Sequence, residues 1–182
     1  YYSTWTGSYC NSMSKLTTEL VSAFSIFNRL SNEQVKEFIS HIKTSSIQKN
    51  ENIINEGEDG DSLIFLFSGD VTITKAMTLM TNKTNVDTRE KEMTRLTAEI
   101  YPVFGEMSLF DEHDKRTATI TALTNCDIGV LYSSDFFGIC DADPQVGNIV
   151  MRNIAGQLAK NLQKTNGQVL KLTTAFSLIL EG

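Results

Sequence analysis

Two side chains ten positions apart carry the chemistry that this sequence offers. Glu106 belongs to Val103-Phe104-Gly105-Glu106-Met107-Ser108-Leu109-Phe110, and Arg116 opens Arg116-Thr117-Ala118-Thr119 beyond the acidic run Asp111-Glu112-His113-Asp114. A glycine followed by a short helical turn over Glu106 to Phe110 can expose several backbone N–H groups at one point, and such a helix start attracts an anion. A guanidinium beside that turn completes a pocket for a single phosphate, with Glu106 left over as an acceptor for sugar hydroxyls. The plainer reading of the same two residues is an ion pair on a solvated loop.

Other chemistries find little material. The two histidines, His41 and His113, have no H-x-H or H-E-x-x-H partner, which speaks against a histidine-based metal enzyme or a β-roll enzyme of the cupin type. His113 stands in an acidic run that reads as a solvated turn rather than a metal site, and His41 reads as the exposed end of a helix. Cys10, Cys126 and Cys140 are odd in number and too far apart for a CxxC motif, so buried thiols in a reducing cytoplasm are expected. No catalytic residue and no metal ligand is assigned.

The elements that must position the phosphate site change period along the chain. Residues 1–14 read as a tail without the basic start or apolar stretch of a secretory signal; with no initiator Met, the chain reads as a fragment or a processed form. Over residues 15–43, Leu16, Leu20, Phe24 and Phe27, then Val35, Phe38, Ile39 and Ile42, predict two amphipathic helices. Ser31 with Gln34 has the capping-box spacing, and Leu30 with Val35 that of a hydrophobic staple.

Residues 44–133 read as about eight short antiparallel strands forming a jelly roll or similar β-roll. A strand around Ile53 and Ile54 leads into Glu56-Gly57-Glu58-Asp59-Gly60-Asp61, where Gly57 and Gly60 supply positive φ. Leu63 to Phe67, the turn Ser68-Gly69-Asp70 and Val71 to Thr74 predict a hairpin, and Met77 to Thr97 a long mobile hairpin loop. Ala118, Ile120 and Ala122 alternate with threonines, and Cys126, Ile128 and Val130 share one face.

Residues 134–182 return to helix, with Asp143 as cap and Pro144 at the first position. Met151, Ala155, Leu158, Leu162, Thr165, Val169, Leu172, Phe176 and Ile179 then recur in alternating steps of four and three. This heptad seam argues for a long helix pairing with a second copy of itself, the alternative being a helix that lies on its own β-roll. Gly156 and Gly167 weaken such a rod by about 1 kcal/mol each relative to Ala.

Composition bounds these readings. The chain has 182 residues, is 41% hydrophobic, and carries 16 Lys+Arg against 22 Asp+Glu, a net charge of −6. That length buries roughly two thirds of the unfolded surface without disulfide or metal staples. The acidic balance argues against a main role in neutralising nucleic-acid phosphates. The apolar runs Leu63 to Phe67 and Leu178 to Leu180 fall far short of the roughly 20 residues that cross a bilayer.

Phe104-Gly105-Glu106-Met107-Ser108-Leu109 followed by Arg116-Thr117-Ala118 resembles the phosphate-binding cassette of cyclic nucleotide-binding domains, the family of the catabolite activator protein-like effector domains. Ile54 to Leu63 and Ser68-Gly69-Asp70-Val71 resemble the family's glycine-marked turns, so the similarity covers about Phe24 to Leu172. The resemblance implies a double-stranded β-helix, mainly β with flanking helices, ending in a long dimerisation helix. It implies a cyclic purine nucleotide, cAMP or cGMP, as ligand, with no further cofactor. Arg116 would pair with the cyclic phosphate and Glu106 accept from the ribose 2′-OH. Gly105, Met107, Ser108 and Thr117 would complete the cassette, with backbone N–H groups near Ser108 and Thr117 on the phosphate and the Thr117 hydroxyl on the phosphate or the base.

Ile154 to Asn166 is similar to the dimer helix of the same family, which implies that Thr165 and Asn166 meet the purine, one of them from the opposite subunit; the plainer reading of Thr165 is that it fixes helix register. Two departures stand out: residues 77–97 are long, and Tyr101-Pro102 replaces a glycine ahead of the cassette. The bacterial transcription factors of this family continue into a helix-turn-helix domain where this chain stops at Gly182, so no DNA binding is assigned to it. The resulting expectation is a sensor without enzymatic chemistry that reports occupancy through its last helix, as a homodimer. The alternative is a dimerisation or scaffold module that binds no nucleotide.

Overall fold

The protein is described here by a computed structural model covering residues 16–79, 87–110 and 115–180. The N-terminal tail with Cys10, the acidic run with His113 and residues 80–86 lie outside the described residues.

The amino-terminal region is more broken than two helices. A short helix α1 (Thr18–Ser22) and a 3-10 turn (Ser25–Phe27) precede helix α2 (Asn32–His41). Ser31 caps α2 in the expected box: its side chain accepts from the Gln34 amide, and the Gln34 side chain accepts from the Ser31 amide. Val21, Phe24, Ile26, Phe27, Val35 and Phe38 are all buried.

Among the described residues eight strands follow: β1 (Lys43–Ile47), β2 (Asn52–Ile54), β3 (Ser62–Ser68), β4 (Asp70–Leu79), β5 (Asp87–Thr97), β6 (Val103–Phe104), β7 (Thr119–Ala122) and β8 (Cys126–Tyr132). They form two four-stranded antiparallel sheets, ordered β1-β8-β3-β6 and β2-β7-β4-β5. The roll interior between them is filled by residues such as Ile64, Leu66, Val71, Phe104, Ile120 and Ile128. On its other face the first sheet offers Leu63, Phe65 and Leu131 to the helices. Strand β3 is therefore buried on both faces, which is why it reads as an unbroken apolar run instead of alternating.

Three expectations are corrected. β3 and β4 are consecutive but do not form a hairpin, because the chain passes from one sheet to the other at Gly69. Gly69 has φ 89, and a Cβ there would stand 2.6 Å from both the Asn125 carbonyl oxygen and Cys126 Sγ, so the crossing runs hard against the start of β8. The hairpin expected over residues 77–97 is strand rather than loop where it is described: β4 and β5 pair continuously from Asp70 with Thr97 to Leu79 with Asp87, with one bulge at Ile73/Thr74. Gly57 takes φ 84 in the turn after β2, whereas Gly60 is not among the positive-φ residues.

Two helices close the chain, α3 (Ser133–Ala142) and α4 (Pro144–Leu180). Asp143 caps α4 by accepting from the amides of Gln145 and Val146. The 37-residue α4 runs unbroken through Gly156 and Gly167. Its first turns bury Val146, Val150 and Ile154 against the helical core, whereas Leu162, Val169, Leu172, Phe176 and Ile179 are exposed on the single chain. No described helix is long and apolar enough to cross a membrane. Cys126 and Cys140 are buried free thiols, and burial pushes that of Cys140 up to about 11.

Phe65 is fully buried and meets the rings of Phe24 and Phe27 from the amino-terminal region and of Phe67 from its own strand. Phe65→Ala is expected to cost about 3 to 5 kcal/mol of folding stability, read as a lowered midpoint in chemical denaturation.

Candidate functional site

The site is assembled where strand β6 ends. Phe104 pairs with Ile64, and at Gly105 the chain turns with φ 87 into residues 106–107 and the 3-10 turn Ser108–Phe110. Gly105 has a local steric reason: a Cβ would lie 2.2 Å from Arg116 Nη1 and 2.5 Å from the Ser62 carbonyl oxygen. The glycine thus lets the guanidinium lie directly against the backbone of the turn.

Arg116 lies three residues ahead of β7 rather than opening it. Its backbone is fixed from both sides, its amide donating to Glu58 O at 2.8 Å and its carbonyl accepting from Gly57 at 2.9 Å. Next to it, Lys115 pairs with Asp59. Arg116 is 7% exposed, and its guanidinium donates through Nη1 to Ser62 O and through Nη2 to Ser62 Oγ, both at 2.9 Å. These bonds go to Ser62, and the simple Glu106–Arg116 ion pair is not formed. Burial lowers the Arg116 pKa, opposed by the charges of Asp61, Glu58 and Glu106. Burial also raises that of Glu106, opposed by its own amide N–H and by Arg116.

A cavity of about 430 Å³ opens over this turn. Gly105, Glu106, Met107, Ser108, Arg116 and Thr117 all line it, so the six cassette residues singled out in the sequence are brought together. Ser108 is 3% exposed, while Met107 stands out at the rim. Ile54, Ile73, Leu96 and Ile120 supply an apolar wall from the second sheet.

Thr165 and Asn166 are not in the lining of this single-chain cavity. Both are exposed on α4, where the Thr165 hydroxyl donates back to Asn161 O at 3.0 Å. The helix instead contributes Gln157, Asn161 and Lys164, which sequence reasoning did not single out. Their spacing of four and three is a helical stripe beside the apolar seam, indistinguishable by composition from a solvated face.

Gln157 also holds the amino-terminal region, its Oε1 accepting from Ser25 Oγ at 2.6 Å. Asn153 adds bonds from Nδ2 to Ile26 O and Asn28 O at 3.0 and 2.7 Å. Tyr101, at φ 49, lines the cavity and sets its ring edge-to-face on Phe24 at 5.6 Å. Among the described residues, no cluster of three His, Cys, Asp or Glu side chains is arranged to hold a metal ion.

Comparison with known proteins agrees with this geometry. The cyclic nucleotide-binding domain family matches residues 44–143. The cAMP-activated global transcriptional regulator CRP of Haemophilus influenzae is 27% identical over 135 residues, covering 74% of this chain and 54% of the regulator. The chain thus spans about half the length of the curated relatives it matches. A cyclic nucleotide-binding domain from Methylobacillus flagellatus superposes with a TM-score of 0.69 at 24% identity, covering 84% of this chain and 80% of that one. The cAMP-bound PfPKA-R gives a TM-score of 0.54 at 31% identity, covering 67% of this chain and 39% of that one. With the family matched over more than half its length, this chain belongs to the cyclic nucleotide-binding domain family.

Proposed function

We propose that the chain is a sensor of a cyclic purine nucleotide, not an enzyme, that takes the cyclic phosphate on Arg116 and signals through α4. The observation that carries this reading is the buried guanidinium at the Gly105 turn. Of its five N–H donors, two are given to Ser62, which leaves three for a phosphate in the cavity. Backbone N–H groups near Ser108 and Thr117 add to the phosphate contacts, Gly105 gives the phosphate close access, Met107 covers the rim, and Glu106 accepts from the ribose 2′-OH. The names of the relatives, a cAMP-activated regulator and a cAMP-bound PfPKA-R, support cAMP or its close analogue cGMP as ligand. The buried free thiols support a reducing, cytoplasmic setting.

Helix α4 is the output element in this reading. Ligand touching both the cassette and the Gln157–Lys164 face favours one helix arrangement over another by its differential affinity. The exposed seam from Leu162 to Ile179 continues directly from the buried face at Val150 and Ile154, and a second copy of the same helix covers it. Thr165 lies within that seam and Asn166 beside it, so both reach the purine at the paired helices, one from the partner.

Arg116→Ala removes the charge-assisted phosphate pair. Calorimetric titration of cyclic nucleotide is expected to show a loss of about 2 to 3 kcal/mol, or about thirty- to a hundredfold in affinity; unchanged affinity would remove Arg116 from the phosphate site. Absence of binding to the folded wild-type chain would instead favour a scaffold role. Leu162→Asp is expected to shift the chain from dimer to monomer in sedimentation, and an unchanged mass would remove the helix pairing.

A further inference from the structure

We infer that Lys164 makes the site select a 6-oxo purine, so that it takes cGMP in preference to cAMP. This inference rests on the sensor reading above. Among the described residues lining the cavity there are two cations, Arg116 at the cassette and Lys164 on α4. A cyclic mononucleotide carries one phosphate charge, and Arg116 already answers it. The second cation therefore faces the part of the ligand that extends from the cassette toward the helix, which is the base.

Lys164 biases the hydrogen-bonding chemistry of that wall toward donors. Lys164 has no partner among the described residues, and an ammonium offers three donors and no acceptor. Gln157, two turns earlier on the same face, has one lone pair of its carbonyl oxygen engaged by Ser25 and keeps its amide N–H groups as donors to a ligand. Asn161 between them can turn either end toward a ligand and so does not choose. Guanine presents O6 and N7 as adjacent acceptors, whereas adenine sets an amine donor beside N7. A lysine bridges the first edge and meets the second donor against donor.

The test is calorimetric titration of cGMP, cIMP and cAMP into the wild-type chain, Lys164→Gln and Lys164→Arg. The wild type is expected to bind cGMP and cIMP about tenfold more tightly than cAMP. Lys164→Gln is expected to close that gap by weakening the two oxopurines, and Lys164→Arg to keep it. Because cIMP lacks the 2-amino group, a preference for cGMP without one for cIMP would assign selection to another contact and overturn the inference. So would a wild type that favours cAMP, or a gap that survives in Lys164→Gln, while either result leaves the sensor reading intact. Binding of none of the three to folded protein overturns both.

Discussion

Placing the guanidinium of Arg116 beneath the surface of a β-roll is the constraint from which the site follows. An unpartnered buried cation costs several kcal/mol, so the chain around it must supply acceptors and charge. Ser62 gives two oxygens, and Asp61, Glu58 and Glu106 give negative potential. The reciprocal backbone bonds to Gly57 and Glu58 stop the arginine from swinging out. Gly105 completes the arrangement by omission, since any Cβ would occupy the space of the guanidinium. Three distant segments, 57–62, 105–108 and 115–117, are brought together by one side chain.

This placement makes the cavity a junction between layers. The cassette turn leaves the edge strand of the first sheet, the apolar wall belongs to the second, and α4 closes the remaining side. The same helix is bonded at Asn153 and Gln157 to the amino-terminal 3-10 turn, and Tyr101 on the cavity wall touches Phe24 beside that turn. A ligand that engages Gln157 acts on the residue that joins α4 to the amino-terminal region. That gives a physical route from occupancy to helix position without any chemical step.

Much of this was legible in the sequence wherever one interaction leaves one local signature. The Ser31–Gln34 box, the Asp143–Pro144 helix start and the alternation of Ala118, Ile120 and Ala122 each reflect contacts within a few residues or a simple period. The cassette was legible because its glycine, glutamate and arginine have no interchangeable substitutes. The length of the β4–β5 ribbon was not, because Thr, Arg, Glu and Lys recur along it with no apolar period to count. Strands β3 and β4 read as one hairpin because Ser68-Gly69-Asp70 looks like any tight turn, while the sheet change depends on Asn125 and Cys126 far along the chain. Gln157, Asn161 and Lys164 became visible only once α4 was laid beside the cassette.

The central claim is that a cyclic phosphate is held between Arg116 and the Gly105–Ser108 turn. A crystal structure of the chain grown with cyclic nucleotide tests it most directly. The account predicts the phosphate within hydrogen-bonding distance of the guanidinium and of cassette amides, with the Arg116–Ser62 bonds retained. A nucleotide seated elsewhere, or a phosphate in this cavity that leaves Arg116 untouched, would contradict it.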